Sequence, residues 1–94
     1  MQEELLTPSL IRAARGLLGW SQTELAEKSG VSRKAIATIE TAAPSDTIDP
    51  RRKKVLQKLR RYFEDDCGME IVFESSKTGE GVRLRSRRST NLSR

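Results

Sequence analysis

Between Gln22 and Glu40 the chain reads QTELAEKSGVSRKAIATIE, and this stretch constrains the fold most tightly. Two short amphipathic helices are written there around one glycine. Ser21 is a good N-cap, and Glu24 stands three residues on, the spacing of a capping box. Leu25 and Ala26 give the first helix its apolar face. Gly30 falls where a tight helix-to-helix turn needs positive φ, which costs glycine little. Val31 comes next as a buried turn residue. Ser32 caps a second helix over 32–40, in which Ile36 and Ile39 point inward at i, i+3. Arg33, Lys34, Ala37 and Thr38 are left outside. A small, basic, hydrogen-bonding outer face is what a helix needs to enter a DNA major groove about 12 Å wide. A helical hairpin used only for packing is the alternative, but it gives no reason for the polar outer face.

The pattern Gln22-x-x-Leu25-Ala26-x-x-x-Gly30-Val31-Ser32-x-x-x-Ile36-x-x-Ile39-Glu40 resembles the helix-turn-helix of the Cro/phage-repressor (XRE) family. The likeness extends upstream through Arg15 and covers roughly the first two thirds of the chain. It implies a mainly α, lambda-repressor-like bundle of about four helices that binds double-stranded DNA. By position, it implies that Arg33, Lys34 and Thr38 reach base edges. Arg33 can grip guanine O6 and N7 with both arms, Lys34 can act there as a point donor, and Ala37 or Thr38 can touch a thymine methyl. Gln22 stands where the family hydrogen-bonds a phosphate, with Ser21 and Thr23 beside it. Ser32 serves equally as a phosphate donor or only as a cap. The resemblance also implies a structural ion pair between Arg15 and Glu40, clamping the helix that precedes the motif to the helix over 32–40; two separate solvated charges are the alternative. The family's best-known phage repressors read DNA with glutamines. This chain departs from them, so their operators do not carry over.

Composition bounds the rest. Ninety-four residues make one domain with room for an appendage. A 35% apolar content gives a small core that oligomerisation would help. One cysteine, Cys67, cannot form an internal disulfide, which fits a reducing compartment. The absence of histidine argues against a zinc site. The sequence offers no catalytic constellation, cofactor motif, signal peptide or membrane-length apolar run, so a cytoplasmic bacterial protein, held at the nucleoid by DNA, is expected. The charge is uneven. Residues 1–50 hold five Lys/Arg against seven Asp/Glu, and residues 51–94 hold thirteen against six. Phosphate contacts must therefore come largely from residues beyond the second helix of the motif.

Taken in order, Met1 to Thr7 reads as a frayed lead. Pro8 and Ser9 open helix 1, with Leu10, Ile11, Ala14 and Leu18 as its buried stripe and Gly19 as its end. Trp20 reads as a core plug under the motif. Residues 41–49 form a loop in which Pro44 stops the preceding helix. In the family this loop lies near the DNA backbone, making Ser45 and Thr47 candidate phosphate donors, although ordinary loop polarity explains them equally. Asp49 caps a fourth helix with Pro50 at its first position and Gly68 at its close. Val55, Leu59, Tyr62 and Phe63 give its core stripe, widened by Leu56. Arg51, Arg52, Lys53 and Lys54 crowd the first turn, where cations oppose the helix dipole at roughly 0.3–1 kcal/mol each. DNA phosphate is the compensating partner this suggests, through Arg51 and Arg52; a solvated basic turn is the alternative.

After Gly68 the period becomes that of strands. Met69, Ile71 and Phe73 alternate with polar or smaller residues, and Val82 and Leu84 alternate with Arg83 and Arg85. Paired, they make a hairpin over 67–85, with Glu70 and Glu74 facing Arg83 and Arg85. A lone hairpin is marginal in water, so its apolar face should pack on helices while its edge invites a second chain. Ile71, Phe73, Val82 and Leu84 are the expected dimer-interface residues, and a hairpin that merely caps the monomer core is the alternative. Residues 86–94 read as a disordered basic tail. The chain thus divides into a helix-turn-helix domain over 8–66, the hairpin, and the tail. The functional expectation is a homodimeric repressor reading a palindromic operator through helix 32–40. An antitoxin of a toxin–antitoxin pair and an anti-activator working through the hairpin are the alternatives.

Overall fold

A computed structural model describes residues 4–43 and 47–85. The expectations placed on Met1 to Glu3, Pro44, Ser45 and residues 86–94 lie outside them. Four α-helices come first: α1 (Pro8–Leu18), α2 (Gln22–Ser29), α3 (Arg33–Glu40) and α4 (Pro50–Arg61). A π-helical turn (Tyr62–Asp66) and two antiparallel strands, β1 (Met69–Val72) and β2 (Gly81–Leu84), complete the fold. This is a lambda-repressor-like helical bundle carrying a small hairpin.

Local chemistry sets most boundaries. Thr7 caps α1, its Oγ1 accepting from the Leu10 N–H at 3.2 Å, and Gly19 (φ 72°) ends it. Ser21 and Glu24 close a reciprocal capping box on α2: the Ser21 hydroxyl accepts from Glu24 N–H at 3.1 Å, and the Glu24 carboxylate accepts from Ser21 N–H at 2.8 Å. Gly30, at φ 81°, makes the turn into α3, whose cap is Ser32. The α2–α3 geometry is thus held by short-range bonds before packing is considered.

The core joins all elements. Leu10, Ile11, Leu25, Ile36, Leu56, Leu59, Phe63 and Met69 are the largest fully buried side chains. Along α4 and the π-helical turn that follows it the buried stripe is Leu56, Leu59 and Phe63, while Val55 and Tyr62 are only half-buried. Three of the five expected residues thus form the buried stripe, and Val55 and Tyr62 pack at its edge. The helix expected to close at Gly68 does not run there as α-helix: over Tyr62–Asp66 it widens, and the Cys67 N–H reaches back five residues to the Tyr62 carbonyl at 3.2 Å. Leu18 is also half-buried rather than core.

The described part of the lead is not frayed. Leu6 is 3% exposed and belongs to the core. The Glu4 carbonyl accepts from Arg60 Nη1 at 2.9 Å, and burial of Leu6 fixes the chain before Thr7 begins the helix.

The hairpin lies along α1. Its register pairs Met69 with Leu84, Glu70 with Arg83, Ile71 with Val82 and Val72 with Gly81. Met69 is fully buried, and Ile71, Phe73, Val82 and Leu84 pack half-buried against the same core. On the outer face Arg83 Nε donates to Glu70 at 2.6 Å. Glu74 does not face Arg85. The register puts Arg85 beside Gly68, where its N–H meets the Gly68 carbonyl at 2.8 Å, at the opposite end of the hairpin. The hairpin loop is held to the start of α1, because Glu80 accepts from the Thr7 hydroxyl at 2.8 Å and from the Ser9 hydroxyl.

Candidate nucleic-acid interface

The second helix of the motif presents two unlike faces. Ile36 and Ile39 are buried, while Arg33, Lys34 and Thr38 are exposed and Ala37 is half-exposed. Thr41 steadies the C-terminal end, its hydroxyl donating to the Ala37 carbonyl at 3.0 Å and lying 3.2 Å from the Thr38 carbonyl.

What holds this helix in place is Glu40. Its side chain is only 3% exposed. Arg15 forks it, Nε donating to Oε2 and Nη2 to Oε1, each at 2.8 Å. The third arm of Arg15, Nη1, donates to the Trp20 carbonyl at 3.0 Å, so one guanidinium ties α1 to α3 and to the entry of α2. Gln22 Nε2 donates to Glu40 Oε1 at 3.2 Å. Arg12 Nη1 donates to the Glu40 backbone carbonyl at 2.6 Å. Burial by itself raises the carboxyl pKa, but the hydrogen bonds from Arg15 and Gln22 and the charges of Arg15 and Arg12 outweigh it, holding Glu40 below its ordinary value. The bond to Glu40 in turn raises Arg15, against the opposing effect of burial.

A cleft runs between α3 and the first turn of α4. Ser32, Lys34 and Thr38 line one side, and Asp49, Arg51 and Arg52 the other. Asp49 is a carboxylate where an anion would dock, but it is engaged as a cap, accepting from the Arg52 N–H at 2.8 Å. The Ser32 hydroxyl accepts from the Ala35 N–H at 3.1 Å, which leaves its own proton to donate. The fold therefore gathers Ser32, Lys34, Thr38, Arg51 and Arg52 around one cleft. Arg33 stands on the same helix without lining the cleft. Ser21, Gln22 and Thr23 lie at the N-terminal end of α2, and Thr47 is exposed in the connection before α4.

Sequence reasoning missed Arg12 as an anchor of α3. The available signal was its spacing, one helical turn before Arg15 on the face toward α3. Trp20, expected as a core plug, is half-buried. Its ring packs on Tyr62 with centroids 6.3 Å apart, and Lys28 Nζ lies 5.3 Å from the indole centroid.

Among the described residues, no group of three or more His, Cys, Asp or Glu is placed to hold a metal, and no helix is long and apolar enough to cross a membrane. No curated protein and no solved structure gives a significant match. A family model described as Helix-turn-helix matches residues 11–50. That span runs from the first turn of α1 to the first residue of α4, and it contains every residue that grips Glu40. Residues 11–50 therefore carry a helix-turn-helix similar to that of DNA-binding regulators of the Cro/phage-repressor (XRE) type.

Proposed function

We propose that the protein is a homodimeric repressor that reads a palindromic operator by inserting α3 into the major groove. The observation that carries this is the contrast across α3: Glu40, Ile36 and Ile39 are locked inward, while Arg33, Lys34 and Thr38 face solvent as a group. In this reading Arg33 and Lys34 take guanine edges, and Thr38 takes a base edge or methyl. Phosphates flank the helix. Arg51, Arg52 and Ser32 serve one strand from the cleft, and Ser21, Gln22 and Thr23 serve from the start of α2, with Thr47 between. Gln22 keeps a second amide N–H for this purpose when the first is bound to Glu40.

Dimerisation through the hairpin completes the reading. Ile71, Phe73, Val82 and Leu84 already cover their own core, and the surface they leave half-exposed, with the hairpin's edges, is what a second copy would cover. Two copies would bind half-sites one helical turn apart, about 34–36 Å. Repression follows most simply from occupying a promoter.

The test is fluorescence anisotropy on the DNA upstream of the protein's own gene, titrated with unrelated competitor, for the wild type and Arg33→Ala. Competitor-resistant binding that the substitution removes is the expected result. Weak binding that competitor abolishes and Arg33→Ala spares would overturn recognition through α3 at that site.

A further inference from the structure

We propose that a second concavity of this domain binds a small amphipathic carboxylate, with Arg52 as its anchor. The cavity measures about 710 Å³, inside the range of roughly 300–1,000 Å³ typical of small-molecule sites. It lies between the lead into α1, Ala42, Ala43 and Ile48 between α3 and α4, and the hairpin loop. Leu6, Ile39 and Leu56 form its floor. Ile48 stands on its wall with 45% of its surface exposed, one of two large apolar side chains so exposed among the described residues. An apolar ligand body would cover it.

The charges around the cavity choose the ligand's head group. Two arginines line it, Arg12 and Arg52, and two carboxylates, Glu74 and Glu80. Glu80 already accepts from Thr7 and Ser9, and Arg12 already donates to the Glu40 carbonyl. Arg52 enters α4 through its backbone bond to Asp49 and is half-buried at the cavity wall. A guanidinium fork matches a carboxylate in two parallel bonds. Glu74 repels an anion, so it orients the carboxylate toward Arg52 and leaves the tail to Ile48, Leu6 and Leu56.

Arg52 lines both this cavity and the cleft beside α3. A bound carboxylate and a DNA phosphate therefore compete for one guanidinium, and occupancy weakens DNA binding. This consequence rests on reading Arg52 as a phosphate contact.

Calorimetric titration of the full chain with sodium octanoate tests the site, with 1-octanol as the uncharged control. Single-site saturable binding is expected for octanoate, weaker by about five-fold or more in Arg52→Gln and Ile48→Glu, and weaker by a similar factor for octanol. Ile48 is exposed and Arg52 half-buried at the surface, so both variants are expected to fold, and a melting curve confirms each. No saturable binding, or equal affinity in wild type and both variants, would overturn the site. Anisotropy with labelled upstream DNA then tests the competition. Saturating octanoate should weaken wild-type binding several-fold and leave Ile48→Glu unchanged. Octanoate that binds without changing DNA affinity would overturn the competition. A wild-type protein that does not bind the upstream DNA even without octanoate would overturn recognition of that DNA instead, and calorimetry alone would then decide the site.

Discussion

Arg15 and Glu40 face each other across the helix-turn-helix in a fork–fork pair, two bonds of 2.8 Å between the middle of α1 and the last residue of α3. The Glu40 side chain is nearly buried and the Arg15 side chain is 20% exposed. Removing the arginine strands a buried anion, whereas removing both leaves a smaller defect. Arg15→Ala should cost about 2–4 kcal/mol in urea unfolding, and Arg15→Ala with Glu40→Ala less than the sum of the two singles. Strict additivity would show the pair to be uncoupled.

Stability should respond to acid through the same carboxyl. Glu40 lies below its ordinary 4.5, so in the folded protein it stays charged to lower pH than in the unfolded chain. Its contribution is complete above that ordinary value and is lost as pH falls through the lower folded value. Urea midpoints between neutral pH and pH 3 should fall less steeply for Glu40→Gln than for wild type. Parallel curves would refute this origin of acid sensitivity.

Base-reading and phosphate-holding residues should separate by their salt dependence. Arg33→Ala should cost about 1–3 kcal/mol on the specific operator, with relaxed discrimination at one base pair. Arg51→Ala should weaken binding to all sequences alike and reduce the salt slope by about one. If Arg51→Ala left the slope unchanged, the first turn of α4 would not be on the DNA.

The motif was legible because its signals are local. Caps at Ser21 and Ser32, a glycine at the turn and apolar residues at i, i+3 act over a few residues, and they fix α2 and α3 before any distant contact forms. Arg15 and Glu40 stand 25 positions apart, and only the family resemblance suggested joining them. Contacts with no such template were not legible. Leu6 carries no helical or strand period, yet it is core. The π-helical turn rests on a backbone bond from the Cys67 N–H to the Tyr62 carbonyl, of which the expected stripe of Val55, Leu59, Tyr62 and Phe63 carries no sign. Glu74 and Arg85 separate because strand register sets which residues meet, and the alternating pattern admitted more than one register.

Tyr62 offers a clean spectroscopic check, since it is the chain's one tyrosine. Burial, then the charge of Cys67, their hydrogen bond and Asp66, pushes its phenol up to about 12. Tyrosinate absorbance should therefore titrate well above the ordinary value of 10.0 while the protein stays folded. The raised value means that its contribution to stability is present below pH 10 and is lost as pH rises toward 12. A midpoint near 10 in the folded protein would contradict this packing against Cys67.

Glu80 should govern the hairpin loop. Glu80→Ala removes the acceptor for both Thr7 and Ser9. Hydrogen exchange should quicken at the Gly81–Leu84 amides while α2 and α3 keep their protection. Unchanged exchange in β2 would show that apolar packing alone holds the hairpin.

The Glu80 contact closes a loop of 73 positions, from Thr7 to the turn between the strands. Met69, fully buried in the core, is tied into the same hairpin. Bringing such distant residues together costs chain entropy that a helix formed from neighbours does not. The helices of the motif are specified by local signals, whereas the hairpin must find α1 across the whole helical part of the fold. Seating the hairpin is therefore the step that the chain's topology makes slowest.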